Sequence, residues 1–260
     1  MPPQGDALAA EVVQVADAAA DAAVNVVAKI SDGETTRVEE AVLYDETLVH
    51  LPCLMHLLAA PPQQGQHTDG TGARKQLSAL VIFGGDGSAL KEILKYGRDV
   101  TSVTVLDHDE AVGAVGESDV HWIVGDVGET LVKLTSGGNE LLKRYDIIIV
   151  DLAKQTSRPN EPLSRDDAAR IAMLLEKDGG VIAFGSTSPV CPMQTMMKML
   201  MPSGSILRFG GDHGFNVMIV STNKNMVQIP TVDEATARLQ RDNIMVTSGH
   251  LFFDGIHQAK

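Results

Sequence analysis

The chain has 260 residues, of which 44% are hydrophobic and 21% charged, and its formal net charge is −13. That composition excludes a disordered or fibrous chain and is enough for one sizeable α/β core. The acidic balance disfavours nucleic acid and anionic membrane as partners, because both present negative phosphate.

The N-terminal stretch "MPPQGDALAAEVVQVADAAADAAV" has no basic segment ahead of an apolar one and carries acids throughout, which argues against a secretory or mitochondrial leader. No run approaches the roughly 18 apolar residues of a membrane span. The two cysteines, Cys53 and Cys191, lack metal-ligand spacing and form no disulfide framework. A cytoplasmic protein in a reducing compartment is expected. Residues 7–28 are Ala- and Val-rich and are expected to be helical. Residues 29–43 are expected to form a short hairpin around the Asp32-Gly33 turn signal, and 45–59 a helix. The stretch "APPQQGQHTDGTGARKQ" at 60–76 reads as a loop, which divides the chain into 1–76 and a larger unit at 77–260.

From residue 77 strands and helices alternate. "LSALVIFG" is an expected strand, followed by a helix from Ser88 to Tyr96 and by strands at 100–107 and 119–126. "YDIIIVDL" at 145–152 is apolar on both faces, as a strand covered on both sides should be. A helix at 164–176, the strand "GGVIAFGS" at 179–186 and a Met-rich helix at 192–200 follow. "SILRFGG" and "FNVMIVST" close the pattern as an antiparallel pair. Strands alternating with helices imply an α/β fold with a doubly wound, mostly parallel sheet.

In such a sheet ligands bind beyond the carboxyl ends of the strands. Asp86, Asp107, Asp126 and Asp151 all fall at or just beyond those ends. Gly84, Gly85 and Gly87 permit a tight turn and close approach of a ligand to the backbone. The turn lacks the G-x-G-x-x-G pattern, and Asp86 within it would repel a pyrophosphate while attracting a cation such as an amine or sulfonium. His50, His56 and His121 have no metal-ligand companions and are expected to be structural, and the Met193–Met201 cluster is expected to be packing or a protein contact. Asp166, Asp167, Glu176 and Asp178 read as a solvated helix face.

"LVIFGGDGSALKEILK" resembles the cofactor loop of spermidine synthases, polyamine aminopropyltransferases whose loop reads GGGDGG. "YDETLVHLP" at 44–52 resembles the Y-H-E-M-x-x-H-x-P segment of that family, "VTVLDHDEAV" its second strand, "YDIIIVDL" its catalytic strand, and "LFFDGIHQA" its Y-Y-x-x-D-I-H segment. These matches lie in order over roughly residues 29–260. The resemblance implies the Rossmann-like fold of class I adenosylmethionine-dependent transferases. It further implies decarboxylated S-adenosylmethionine as the aminopropyl donor, an amine as acceptor, and no metal. By position Asp86 would meet the aminopropyl amine, Asp107 the ribose and Asp126 the adenine amino group, with Gly84, Gly85 and Gly87 shaping the turn. Asp151, assisted by Tyr44, would deprotonate the attacking ammonium, since a protonated amine is no nucleophile. Asp45, Glu46 and Asp254 would contribute to the acceptor site. Family members form oligomers, so a homo-oligomer or a subunit of a larger complex is expected.

The departures fall on the acceptor side. The family's D-S-S/T-D/E-P continues here as Asp151-Leu152-Ala153-Lys154-Gln155, which puts a cation where an anion would hold the amine and would weaken diamine binding. Asp45 stands in place of a histidine or glutamine, and the loop at 211–216 lacks the family's tryptophan. Phe83 replaces the first glycine, with bulk that would crowd the turn. The helix after Asp109 is short, and the family's N-terminal hairpin domain is replaced or truncated. Three functions therefore stay open: aminopropyl transfer to an amine, a catalytically inactive scaffold or subunit of that fold, and methyl transfer from S-adenosylmethionine.

Overall fold

The structure is a computed structural model, and it describes residues 34–58, 76–108, 120–136, 143–155, 163–177, 179–187, 191–201, 205–210, 215–222 and 230–247. The expected helix at 7–28, nearly all of the loop at 60–76, the loop at 211–214 and Asp254 lie outside the described residues.

The first described element is helix α1 (Glu34–Leu58), which continues through Pro52. Residues 34–43 are thus helical, and the hairpin expected across 29–43 is corrected over that stretch. "ETTRVEEAVLYDE" is rich in helix formers and contains no strand run to pair with. Asp32 and Gly33 themselves lie outside the described residues. Nearly every residue from Leu43 to Leu57 is buried, so α1 is enclosed on several sides and has no solvated face in that stretch.

The remainder alternates as the pattern predicts. In order come β1 (Leu77–Ile82), α2 (Ser88–Leu94), β2 (Val100–Asp107), β3 (Val120–Val124), α3 (Val127–Thr135), β4 (Ile147–Asp151) and α4 (Arg165–Leu174). Then follow β5 (Val181–Ser186), α5 (Cys191–Leu200), β6 (Ser205–Gly210), β7 (Asn216–Ser221) and α6 (Val232–Arg241). A 3₁₀ turn, Leu152–Lys154, extends β4 beyond its carboxyl end.

The seven strands order as β3-β2-β1-β4-β5-β7-β6. β1 to β5 run parallel, β7 is antiparallel to β5, and β6 is antiparallel to β7, which gives the Rossmann-like sheet with an antiparallel end. Strand order reverses between β1 and β4, so the crevice beyond their carboxyl ends is the place for a ligand.

Alternation along the strands divides the core between the two faces. Leu77, Ala79, Val81, Ile147, Ile149, Val181 and Ala183 pack with α1, α2 and α6 residues. Leu80, Ile82, Ile148, Val150, Ile182 and Phe184 pack on the other face with residues of α3, α4 and α5. Each fully buried aliphatic side chain contributes about 1.5–3 kcal/mol relative to exposure, which anchors the strand ends from which the site is built. Met193 and Met197 are buried in the second cluster, whereas Met199 is exposed, so the Met-rich helix is in large part packing.

Candidate active site

The glycine turn is shaped by two close approaches. A Cβ on Gly84 would lie 2.4 Å from Val81 Cγ1, and one on Gly85 would lie 2.8 Å from Asp107 Oδ2. The Gly85 amide donates to that same oxygen at 2.7 Å, so the end of β1 is held against the end of β2. Asp107 is only 3% exposed, and its Oδ1 accepts from the His108 amide at 2.6 Å. Gly87 has φ of 74°, a conformation that glycine adopts at no cost, and it leads directly into α2.

Phe83 also has positive φ, 63°, yet it is 2% exposed and packs with Leu80, Ile82 and Leu106 in the core. Its ring is thus part of the sheet's packing, and the crowding of the turn expected from its bulk is corrected. The left-handed backbone costs a non-glycine residue about 1–2 kcal/mol. Asp86 is the exposed member of the turn, with a side chain 51% accessible. Its Oδ1 accepts from the Ser88 amide and hydroxyl, each at 3.0 Å.

Asp151 ends β4 with no solvent exposure. The Tyr44 hydroxyl, carried on α1, donates to its Oδ1. The Tyr44 ring meets Phe215 edge-on at 5.5 Å, and its hydroxyl lies against Gly185, where a Cβ would fall 2.2 Å away. Gly185 is paired with Asp151 in the β4–β5 register, so α1 reaches the Asp151 carboxyl through a gap that only glycine leaves. Burial pushes the Asp151 pKa up to about 6, against the opposing pull of Lys154 and the Tyr44 hydrogen bond. Burial and the neighbouring carboxylate push Tyr44 well above its ordinary value, so it is a donor, not a phenolate.

Lys154 turns into this cluster from the 3₁₀ turn after β4. Its Nζ lies 2.8 Å from Asp45 Oδ1, 2.9 Å from Asp86 Oδ2 and 3.4 Å from Asp151 Oδ2, and it also bonds the Ser88 hydroxyl. Burial works against its charge, but Asp151 and Asp45 outweigh that and hold its pKa above the ordinary lysine value. Asp86 is lowered: its partial burial is outweighed by Lys154 and Ser88. Asp45 is raised, chiefly by burial.

The structure therefore brings together Tyr44, Asp45, Asp86, Asp151 and the glycine turn, with Asp107 beneath it. Asp126 is exposed and caps α3, accepting from the Glu129 amide at 2.8 Å. Glu46, also on α1, is not in the lysine cluster. It is buried, accepts from the Thr247 amide, and groups with His50 and Glu92. His50 is bonded on both ring nitrogens, to Tyr96 at 3.1 Å and to Glu92 at 2.9 Å, and His56 to the Gly179 carbonyl at 3.0 Å. The expectation that His50 has no metal-ligand companions is corrected, because the fold brings Glu46 and Glu92 to it with ligand atoms within 4.8 Å of one another. Sequence reasoning singled out neither Ser88 nor Gly185. A glycine inside the otherwise bulky run "VIAFGS" was the available signal for the second.

A sulfonium ligand with an amine-bearing arm suits these groups. The Gly85 position has no room for a Cβ, Asp107 is buried at the strand end, Asp86 presents a carboxylate from the turn, and Asp151 Oδ2 is buried without a hydrogen-bond partner among the described residues. The profile of the spermine/spermidine synthase domain matches residues 41–210. A polyamine aminopropyltransferase of Oceanobacillus iheyensis is 29% identical over 121 residues, covering 44% of this chain and 23% of that protein. One from Saccharolobus islandicus is 26% identical over 158 residues, covering 58% of this chain and 48% of that protein. The matched stretches thus span about a quarter to a half of those relatives. Spermidine synthase in complex with the transition state analogue AdoDATO superposes with a TM-score of 0.54 at 14% identity, covering 84% of this chain and 70% of the other. Spermidine synthase from Thermotoga maritima gives 0.52 at 15% identity, covering 79% and 66%. At that identity the two structures establish the fold.

Proposed function

This chain belongs to the spermine/spermidine synthase domain family, and we propose that it transfers an aminopropyl group from decarboxylated S-adenosylmethionine to an amine. The observation that carries the reading is the buried Tyr44–Asp151 pair at the end of β4, facing an acid-bearing glycine turn across the switch in strand order. The donor, when bound, supplies a carbon made electrophilic by its sulfonium. Asp107 accepts hydroxyl hydrogen bonds at the end of β2, and Asp126, at the start of α3, receives the exocyclic amine of the base. Asp86 pairs with the ammonium of the aminopropyl arm. Asp151 takes the proton of the acceptor ammonium, so that a lone pair is free for attack. Tyr44 donates to Asp151 Oδ1 and leaves Oδ2 for that proton. Asp45 adds negative charge at the mouth of the site.

A second reading, a non-catalytic member that keeps the fold as a scaffold, is favoured by one observation: Lys154 already neutralises the carboxylates. Calorimetry with methylthioadenosine separates the two. Micromolar binding that also admits decarboxylated S-adenosylmethionine in preference to S-adenosylmethionine supports the transferase. No binding by the folded protein contradicts it, and a preference for S-adenosylmethionine would indicate methyl transfer.

A further inference from the structure

We propose that Lys154 is a built-in occupant of the acceptor's cation site, so that an amine binds only by displacing the lysine ammonium from the carboxylates. The proposal rests on the reading of this crevice as an amine site, and it identifies the residue that sets how tightly an amine is held.

The geometry is that of a filled ammonium site. Asp45 comes from α1, Asp86 from the turn after β1, Ser88 from the start of α2 and Asp151 from the end of β4. All four converge on one nitrogen, with carboxylate distances of 2.8, 2.9 and 3.4 Å. The Lys154 ammonium donates to Asp45 and to Ser88 and forms an ion pair with Asp86 Oδ2. Asp151 Oδ2 faces the same charge at 3.4 Å, as an ion-pair partner at longer range. Asp45 and Asp151 lie on the side read as the acceptor's and Asp86 on the side read as the aminopropyl arm's, so this one cation holds the acids that a free acceptor amine would seek together with the neighbouring acid of the donor side. Here the amine is tethered three residues beyond the proposed base.

The consequence is competition. A free ammonium entering the crevice meets a like charge fixed at its own binding position, and like charges at contact distance disfavour each other. The lysine side chain is 22% accessible, on the solvent edge of the cluster, so it can leave along its four-carbon stem without unpacking the core. Two occupancies of the same acids follow, lysine in or substrate in, and the affinity for amines reports the difference between them.

The test is calorimetric titration with putrescine, in the presence of methylthioadenosine, of the full chain and of its K154M and K154Q variants. Removing a contact ion pair is equivalent to one or more pKa units, so both variants should bind putrescine about tenfold or more tightly than the parent. Unchanged or weaker binding in the variants would overturn the proposal, because the lysine would then be neutral toward the amine or a contributor to its binding. K154Q keeps a donor toward Asp45 and carries the test if K154M does not fold, as judged by circular dichroism. A titration of the parent with methylthioadenosine alone distinguishes the two levels. Nucleoside binding without the putrescine gain removes the lysine proposal only, whereas absence of nucleoside binding removes the amine-transfer reading and the proposal with it.

Discussion

Asp151 is held between a tyrosine donor and a lysine cation with no exposure to water, and burial lifts its pKa to about 6. A base must be unprotonated, so kcat/KM for aminopropyl transfer should rise through pH about 6 and level above it. Asp151→Asn should lower kcat about 10²–10⁴-fold with the fold retained. Tyr44→Phe removes a hydrogen bond that lowers the Asp151 pKa, so the acid limb of the pH profile should move upward. The same shift has a stability counterpart. With a folded pKa above the ordinary 3.8, the folded state binds more protons than the unfolded one between pH about 4 and about 6. This group therefore makes the fold less stable as pH rises through that window. Denaturant titrations of Asp151→Asn should lose that part of the slope, and an identical pH dependence in the two proteins would contradict the burial argument.

At the scale of elements, two glycines decide how the site is assembled. A Cβ on Gly85 would press on Asp107 Oδ2, so Gly85→Ala should push the carboxylate off its position and weaken methylthioadenosine binding by an order of magnitude or so. At Gly185 a Cβ would collide with the Tyr44 hydroxyl, so Gly185→Ala should shift α1 against β5 and cost about 1–3 kcal/mol in chemical denaturation. The turn at Gly84–Gly87 was legible in the sequence because an apolar run, glycines and a helical pattern occur in succession. The role of Gly185 was not, since it depends on where a tyrosine 141 positions earlier comes to rest. The hairpin expected at 29–43 failed for a related reason. Asp32-Gly33 is a good turn signal, but the residues that follow bury a helix against the sheet, and tertiary packing outweighs a dipeptide cue. Phe83 misled in the same way: its bulk is plain in sequence, but its direction, into the core, is a matter of backbone conformation.

For the whole molecule, the alternating strands and helices from residue 77 onward were enough to specify a mostly parallel sheet with an antiparallel end, because the apolar runs of β1, β4 and β5 are buried along nearly their whole length. The four acids could be placed at the carboxyl ends of strands on that basis, and the strand order then puts Asp86 and Asp151 at the switch. Long-range side-chain placement was less legible. Lys154 stood out as a charge of the wrong sign, but only the folded chain brings it to Asp45 and Asp86, 109 and 68 positions away. Glu46 matched the same N-terminal segment as Tyr44, yet the helix turns it toward His50 and Glu92 and away from the lysine cluster. The most direct test of aminopropyl transfer is to incubate the folded chain with decarboxylated S-adenosylmethionine and a panel of amines and to measure methylthioadenosine. Release that depends on an amine and is lost in Asp151→Asn is the predicted result. Absence of methylthioadenosine with every amine, from protein that is folded and binds the nucleoside, would contradict it.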